Sequence, residues 1–227
     1  MRLLDVRSSF QPLKIFLLTN LKAKKFRYTN PPLKVSPRDL VNTALLDSDA
    51  VHILVTPEEI QTFIPELLNL RAKYGIQKQP FIVWEPLPSP CTLGNIQSFR
   101  KAYALVDVFS PNHLEMFALF NNTAPDAFNA PLLKTYAADI SKVTGKFRTG
   151  TVIVRAGEHG SLTVRGAGEK TWLPPYYKIG ASEVIDLTGA GNTFLGGFMH
   201  GWRKTGDLRE ASTYGNVAAS FAVKQVR

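Results

Sequence analysis

The stretch that decides the fold is Asp186-Leu187-Thr188-Gly189-Ala190-Gly191-Asn192, which apolar and small residues continue through position 198. Its order predicts a strand that ends at Asp186 and runs through small residues directly into a helix. Small residues let a ligand approach the backbone, and the first N–H groups of a helix have no partner inside it. The stretch therefore predicts an anion hole at Gly189, Ala190 and Gly191. A tight strand-to-helix turn also needs glycine for steric reasons alone.

The segments that precede this stretch alternate between strand and helix patterns. Pro57 opens a helical pattern that runs to Tyr74 and stops at Gly75. The pattern then predicts a buried strand at Phe81–Trp84, a helix at about Leu93–Tyr103, a strand at Leu105–Phe109 and a helix at His113–Phe120. Such alternation predicts an α/β fold with a mostly parallel central sheet flanked by helices.

The C-terminal half adds a strand pair and two helices. Thr151–Arg155 and Ser161–Arg165 are expected to pair through a hairpin-like loop that contains Gly157 and Gly160. Glu183–Asp186 is the next strand candidate, helical spacing begins at Asn192, and a last helix is expected from Leu208 to about Val226. We expect one domain over residues 1–227.

Composition limits the classes of function. The 227 residues are 44% hydrophobic, and 27 Lys and Arg against 18 Asp and Glu give a net charge of +9. This charge fits nucleic acid, a nucleotide or an anionic substrate as a partner, but it is not concentrated as in a nucleic-acid-binding arm, so nucleic acid is disfavoured. The run Lys22–Tyr28 mixes basic and aromatic residues, as a solvated loop or a binding strip would.

Cysteine, histidine and hydropathy patterns point to a cytoplasmic protein without a membrane span. Cys91 is the only cysteine, so no intramolecular disulfide or cysteine metal cluster can form, and a reducing compartment fits. The four histidines lack metal-ligand spacing. The apolar runs are far shorter than the roughly 20 residues that cross a bilayer, and Asp5 interrupts the apolar character of the N-terminus.

The stretch that begins at Asp186 resembles the second signature of the PfkB carbohydrate kinases, Asp-x-Thr-Gly-Ala-Gly-Asp, followed by a small-residue helix. Ser110–Glu115 resembles the Asn-x-x-Glu motif of that family, and Thr151–Ser161 is similar to its strand and glycine loop near the nucleotide. The resemblance is strongest over residues 81–223 and extends loosely back to about residue 32. Trp84–Pro86 and Val106–Asn112 look like the fungal maintenance-of-killer branch.

The resemblance implies a ribokinase-like fold that transfers a phosphoryl group from ATP, with Mg²⁺, to a sugar-type hydroxyl. Asn112 and Glu115 would order the phosphates and Mg²⁺, Glu115 acting through water, and Gly157, Gly160 and Thr188 would border the nucleotide. Asp186, with Thr188, would begin a monovalent-cation site for K⁺. Two bland interpretations stay open: Asp186 also suits a turn, and Glu115 also suits the first turn of a helix.

One residue departs from the family pattern. The last Asp of the signature removes the proton from the acceptor hydroxyl in the resembling enzymes, and Asn192 holds this position here. An amide cannot take that proton at neutral pH, and general base catalysis is worth about 10² to 10⁴ in rate. We therefore expect a slow kinase in which Asn192 orients the hydroxyl. Asn192 could instead cap the following helix. Glu85 and Asp107 are candidates for a general base in place of Asn192, but no sequence feature supports either of them.

The length is a second departure. The N-terminal strands, the lid and the Gly-Gly sugar motif of the family have no counterpart upstream of residue 30, and the segment that closes its adenine pocket would follow Arg227. We expect an incomplete kinase domain with an exposed apolar edge. The alternative function is a catalytically degenerate nucleotide-binding or regulatory protein.

Overall fold

A computed structural model describes residues 3–4, 34–121, 127–143, 150–166 and 168–225. Within these ranges the chain forms a seven-stranded sheet and six α-helices. In chain order these are β1 (Leu3–Leu4), β2 (Ala50–Val55), α1 (Pro57–Lys73), β3 (Phe81–Pro86), α2 (Ile96–Tyr103), β4 (Val108–Phe109), α3 (His113–Phe120), α4 (Ala130–Ser141), β5 (Thr151–Arg155), β6 (Ser161–Arg165), β7 (Glu169–Leu173), α5 (Ala190–Thr205) and α6 (Leu208–Ala222).

The strands lie side by side in the order in which they occur along the chain. Strands β1 to β5 are parallel, and β6 and β7 add two antiparallel strands to the β5 edge. Right-handed crossovers that always step in one direction place their helices on one face of the sheet. This arrangement accounts for α1 to α4 on one face and leaves the other face to α5 and α6.

Both faces of the central strands are buried, which explains the unbroken apolar runs in the sequence. In β3, Ile82 and Trp84 pack into the core beneath α1 to α4, whereas Val83 packs against α5 and α6. In β5, Val152 and Val154 face the first core and Ile153 faces the second. Two cores therefore share one sheet, and the predicted mostly parallel α/β fold is confirmed.

The predicted signals at the ends of α1 are confirmed. The Thr56 side chain accepts the N–H of Glu59 and the Glu59 carboxylate accepts the N–H of Thr56, so the two residues form a capping box in front of Pro57. The helix ends at Lys73, Tyr74 is its C-cap residue, and Gly75 follows with a φ of 76°.

The predicted hairpin is also confirmed, with β5 and β6 paired antiparallel from Thr151 to Arg165. Its loop is one turn of 3-10 helix in which Gly157 and Gly160 have φ values of 57° and 92°. A Cβ atom on Gly160 would overlap the carbonyl oxygen of Leu173. Gly160 is therefore required by close packing as well as by its backbone conformation.

The strand predicted at Glu183–Asp186 is wrong. Residues 183–187 form no regular element in the described part of the chain, and the N–H groups of Ile185 and Asp186 both donate to the carbonyl oxygen of Val223. Two donors that converge on one carbonyl at the end of a helix cannot form a ladder. The residue immediately after α6, and not a neighbouring strand, supplies the hydrogen-bond acceptor of this segment.

Other boundaries differ by smaller amounts. Strand β4 begins at Val108 because the N–H groups of Leu105 and Val106 donate to carbonyls at the end of α2. The helix predicted from Leu93 divides into a 3-10 turn at Leu93–Asn95 and α2. Helix α6 ends at Ala222, and α5 begins two residues before Asn192. The basic run Lys22–Tyr28 lies outside the described residues.

None of the helices in the described ranges combines the length and the apolar character that a bilayer crossing requires.

Candidate functional site

The predicted site residues lie after the carboxyl ends of β4 and β5 and along the turn that leads into α5. Parallel sheets place ligands at this edge, where strands end and helices begin. Asn112 forms a β-bridge with Arg155, the last residue of β5. Arg155 in turn packs against Gly191, because a Cβ atom on Gly191 would overlap its Nη1 atom. Residues that are distant in sequence thus meet at one edge.

Helix α5 begins with backbone donors that have no acceptor. Gly189 is its N-cap residue, with a φ of 81°. The N–H groups of Gly189, Gly191 and Asn192 find no acceptor within the described ranges, whereas Ala190 donates to the carbonyl oxygen of Leu187 at 3.2 Å. The predicted anion hole thus has free donors at three positions, with Asn192 in the place of Ala190. Such donors, added to the positive end of the helix dipole, can hold an anion.

Asn192 does not cap the helix. It is the third residue of α5, Gly189 holds the cap position, and no side chain makes a capping hydrogen bond there. The Asn192 side chain is half-buried and has no hydrogen-bond partner in the part of the chain that is described. The capping interpretation is therefore wrong, and the amide is available to a ligand.

Asp186 shapes the turn that leads into α5. Its Oδ1 atom accepts the N–H of Thr188 at 2.9 Å, which is the geometry of an Asx turn. This contact confirms the turn interpretation and leaves the cation site at Asp186 as a prediction. Thr188 itself is exposed at the mouth of the turn.

Asn112 and Glu115 form a capping box at the start of α3. The Glu115 N–H donates to Asn112 Oδ1 at 2.9 Å, and the Asn112 N–H donates to Glu115 Oε2 at 2.7 Å. Burial raises the pKa of Glu115 more than the Asn112 N–H and the charge of Arg155 lower it. The Oε1 atom has no hydrogen-bond partner among the described residues. The structural interpretation of Glu115 is confirmed, and one oxygen is left that a metal-bound water could use.

An ion network that the sequence did not predict lies behind this motif. Arg155 Nη1 contacts Glu85 Oε1 at 2.8 Å, and His52 Nε2 shares a hydrogen bond with Glu85 Oε2 at 3.0 Å. Burial alone would raise the pKa of Glu85, but the His52 hydrogen bond and the Arg155 charge outweigh it and hold the pKa below its ordinary value. Glu85 is therefore an ionised partner of Arg155 and a poor proton acceptor.

Asp107 lies at the opposite edge of the sheet. It precedes β4, and its Oδ2 atom accepts the N–H of Ile82 at 2.7 Å. The residue next to it, Val108, pairs with Thr151 at the start of β5. Asp107 therefore cannot replace the missing base at Asn192.

A signal for Arg155 was present in the sequence. In the run Thr151-Val152-Ile153-Val154-Arg155, it is the one charged residue of a buried strand, and it stands at the carboxyl end. A charge at that place points to the ligand edge of a parallel sheet. His52 carries a similar but weaker signal within β2.

Within the described residues, no group of three or more His, Cys, Asp or Glu side chains could hold a metal ion.

Comparison with known families identifies the fold's relatives. The family model of the pfkB carbohydrate kinases matches residues 37–227, which include the whole site described above. The chain belongs to the pfkB carbohydrate kinase family.

Curated relatives support this family and its fungal branch. The chain is 28% identical to Protein MAK32 of Saccharomyces cerevisiae over 89% of its own length and 58% of the relative. It is 29% identical to an uncharacterized protein of Schizosaccharomyces pombe over 88% and 58% of the two chains. Adenosine kinase of S. cerevisiae is 33% identical over 83% of this chain and 52% of the kinase. The chain spans between half and three-fifths of the length of these relatives.

Solved structures confirm the ribokinase-like fold. Ribokinase of Thermotoga maritima superposes with a TM-score of 0.55 at 23% identity, over 84% of this chain and 55% of the enzyme. Adenosine kinase of Sinorhizobium meliloti superposes with a TM-score of 0.62 at 20% identity, over 85% and 54% of the two chains.

Proposed function

We propose that this domain binds ATP with Mg²⁺ and transfers its terminal phosphoryl group to a hydroxyl of a small sugar-like or nucleoside-like acceptor, at a low rate. The observation that carries the proposal is the start of α5, where the N–H groups of Gly189, Gly191 and Asn192 have no acceptor within the described chain. These donors lie beside the guanidinium of Arg155. The N–H donors and the guanidinium would both stabilise the negative charge of the phosphoryl group during transfer.

The other residues divide the remaining tasks. Asn112 and Glu115 lie next to Arg155 and would order the nucleotide phosphates, with Glu115 Oε1 turned to a metal-bound water. Mg²⁺, when bound, would neutralise phosphate charge. Gly157, Gly160 and exposed Thr188 would border the nucleotide. The same proposal includes a site for K⁺ to which Asp186 would contribute a ligand.

Asn192 sets the expected rate. Its half-buried side chain is free and can accept a hydrogen bond from the acceptor hydroxyl, but an amide cannot take the proton. The proton would pass to water or to a phosphate oxygen. Phosphoryl transfer depends mainly on positioning and charge stabilisation. The loss of the base therefore slows the reaction by about 10² to 10⁴ and does not abolish it.

A second candidate is a nucleotide-binding regulatory protein without catalysis. Asn192 favours it, since neither Glu85 nor Asp107 replaces the base: Glu85 is paired with Arg155 and Asp107 lies at the other edge. The two candidates share the phosphate site and differ only in turnover.

Calorimetric titration of the purified chain with ATP, in Mg²⁺ and then in EDTA, tests the binding step. The proposal expects saturable binding that Mg²⁺ strengthens. A phosphate-transfer assay with a panel of sugars and nucleosides then separates the two candidates. Binding with slow transfer supports the kinase, binding without transfer supports the regulator, and no ATP binding in either buffer rejects both.

A further inference from the structure

Arg155 is a fixed cation beside the free amides of α5. Its Nη1 atom contacts Glu85 Oε1 at 2.8 Å, and its Nη2 atom donates to the carbonyl oxygen of Ser110 at 3.1 Å. Only 13% of the side chain is exposed. A guanidinium held by two partners has lost most of its rotamer freedom before any ligand arrives. It therefore offers a preorganised positive charge.

Its position relative to α5 is set by Gly191. A Cβ atom at that residue would overlap Nη1, so the guanidinium lies directly against the backbone of the first helical turn. The unpartnered N–H groups of Gly191 and Asn192 belong to the same turn. An anion that accepts hydrogen bonds from these amides would therefore also lie close to the positive charge of Arg155.

Arg155 has donors left for such an anion. A guanidinium carries five N–H groups, and the two contacts to Glu85 and Ser110 use one on each terminal nitrogen. The Nε atom is buried without a hydrogen-bond partner. Two further N–H groups on Nη1 and Nη2 also have no acceptor within the described residues. An added phosphate oxygen can therefore bond to the Nη donors, whereas the buried Nε atom lies out of its reach.

The charges around Arg155 bear on whether polyphosphate binding requires Mg²⁺. Glu85 and Glu115 are the buried carboxylates that act on Arg155, and the pKa of each responds to its charge. A polyphosphate would be repelled by two carboxylates unless a cation stood between them and the ligand. Arg155 is a cation that the chain itself provides at that place.

We propose that Arg155 is a phosphate-binding residue of this site and that it gives the site an affinity for polyphosphate that does not depend on Mg²⁺. The inference rests on the proposed function, since it assigns a ligand to the same helix start. Mg²⁺ would add to this affinity, as expected for ATP, but would not be required for it.

The test compares variants that separate the charge of Arg155 from its structural contact. Replacement of Arg155 alone would leave the buried Glu85 carboxylate bonded to His52 but without its guanidinium partner, which can destabilise the fold. The double variant Glu85→Gln with Arg155→Gln keeps two side chains that can hydrogen-bond but removes both charges. Glu85→Gln alone keeps the guanidinium and removes its competing carboxylate. Arg165→Gln is the matched control, because Arg165 pairs with Thr151 at the other edge of the sheet.

Tripolyphosphate in EDTA is the probe, followed by ATP in EDTA and in Mg²⁺, all by calorimetry. The proposal expects wild type and Arg165→Gln to bind tripolyphosphate in EDTA equally, Glu85→Gln to bind it more tightly, and the double variant to bind at least about tenfold more weakly. Melting temperatures of all variants establish that they are folded.

The outcomes separate the inference from the proposed function. A folded double variant that binds tripolyphosphate as well as wild type overturns the role of Arg155, and so does wild type that binds only in Mg²⁺. Arg155-dependent binding of tripolyphosphate with no binding of ATP supports the role of Arg155 and rejects the kinase proposal. Wild type that binds neither ligand overturns both.

Discussion

At Asn192 one atom separates an amide from the carboxylate that a general base requires. The residue is the third of α5, and its half-buried side chain has no hydrogen-bond partner within the described chain. The backbone amides without an acceptor belong to the same helical turn. A carboxylate at this place would also suit the positive end of the helix dipole. The start of α5 therefore offers a favourable charge environment for an Asp at position 192.

We expect Asn192→Asp to raise the rate of phosphoryl transfer by about 10² to 10⁴, because the new carboxylate can accept the hydroxyl proton. Single-turnover assays with ATP and the best acceptor measure the change. Asn192→Ala is the matched control and should be slower than wild type, since it removes the amide that is proposed to hydrogen-bond the acceptor hydroxyl. Equal rates for all three proteins would show that residue 192 does not touch the acceptor.

The motif at residues 186–192 could be predicted from sequence because its function depends on local backbone geometry. The order of small residues predicted an anion hole at a turn into a helix, although α5 begins two residues earlier than predicted and Asn192 supplies a free amide in the place of Ala190. The ion network could not be predicted in the same way. His52 and Glu85 are 33 positions apart, and only the pairing of β2 with β3 brings them together. Such contacts depend on strand order, which the sequence pattern does not specify.

Among the elements, α5 and α6 form a pair whose approach depends on glycine. A Cβ atom on Gly197 would come within 2.6 Å of the carbonyl oxygen of Tyr214 and 2.7 Å of the Ala218 Cβ atom. Gly196, its neighbour, has no heavy atom within 4 Å of such a Cβ atom. The two helices can thus pack closely only where the small residue faces the partner.

We expect Gly197→Ala to destabilise the domain by about 1 to 3 kcal/mol, because overpacking must push the two helices apart. Gly196→Ala provides the control and should stabilise the domain by up to about 1 kcal/mol, since alanine has the better helix propensity. Urea unfolding followed by circular dichroism measures both. If both substitutions stabilise the protein, α5 and α6 do not pack as described.

A buried arginine joins α1 to the segments that precede β2 and β3. Arg71 is 2% exposed and donates to the carbonyl oxygens of Leu46, of Ser48 at 3.1 Å and of Lys78 at 2.8 Å. No hydrophobic residue can satisfy these three acceptors, and each buried acceptor left unpaired is costly.

We expect Arg71→Leu to lower the free energy of unfolding by at least about 3 kcal/mol. Arg38→Leu is the control: its ion pair with Glu66 is on the surface, so the change should be no more than about 1 kcal/mol. Chemical denaturation of the two variants gives both values. A small effect at Arg71 would mean that water reaches the three carbonyls.

Element predictions succeeded where local signals were complete. Helix α1 has a capping residue, a proline at its first position and a glycine after its end, and each signal acts within one turn. The segment Glu183–Asp186 has β-branched residues but no strand partner, and its N–H groups bind to the end of α6 instead. A strand exists only with a partner, so its prediction fails when the partner is decided by tertiary packing.

For the whole molecule, Cys91 is a natural reporter of unfolding. It is 4% exposed within the core that packs beneath α1 to α4, and its Sγ atom donates to the carbonyl oxygen of Leu87 at 3.2 Å. Burial strongly raises the pKa of the thiol, so almost no reactive thiolate is present near neutral pH.

We expect the native protein to react with a thiol reagent such as DTNB at pH 8 at a rate limited by opening of the core. The fully denatured chain should react at the rate of a free cysteine, and that reaction is the reference. Addition of ATP should slow the native reaction if the nucleotide stabilises the fold. Immediate stoichiometric labelling of the native protein would contradict the burial of Cys91.

The agreement of strand order with chain order has a consequence for synthesis on the ribosome. Each new strand up to β7 can add to the one before it, so α1 to α4 can cover their face as the chain emerges. The opposite face, with Val83, Val108 and Ile153, stays bare until α5 and α6 have been translated. The nascent chain therefore presents an apolar strip to chaperones until these two helices have emerged. The free amides at the first turn of α5 appear only with the segment that covers that strip.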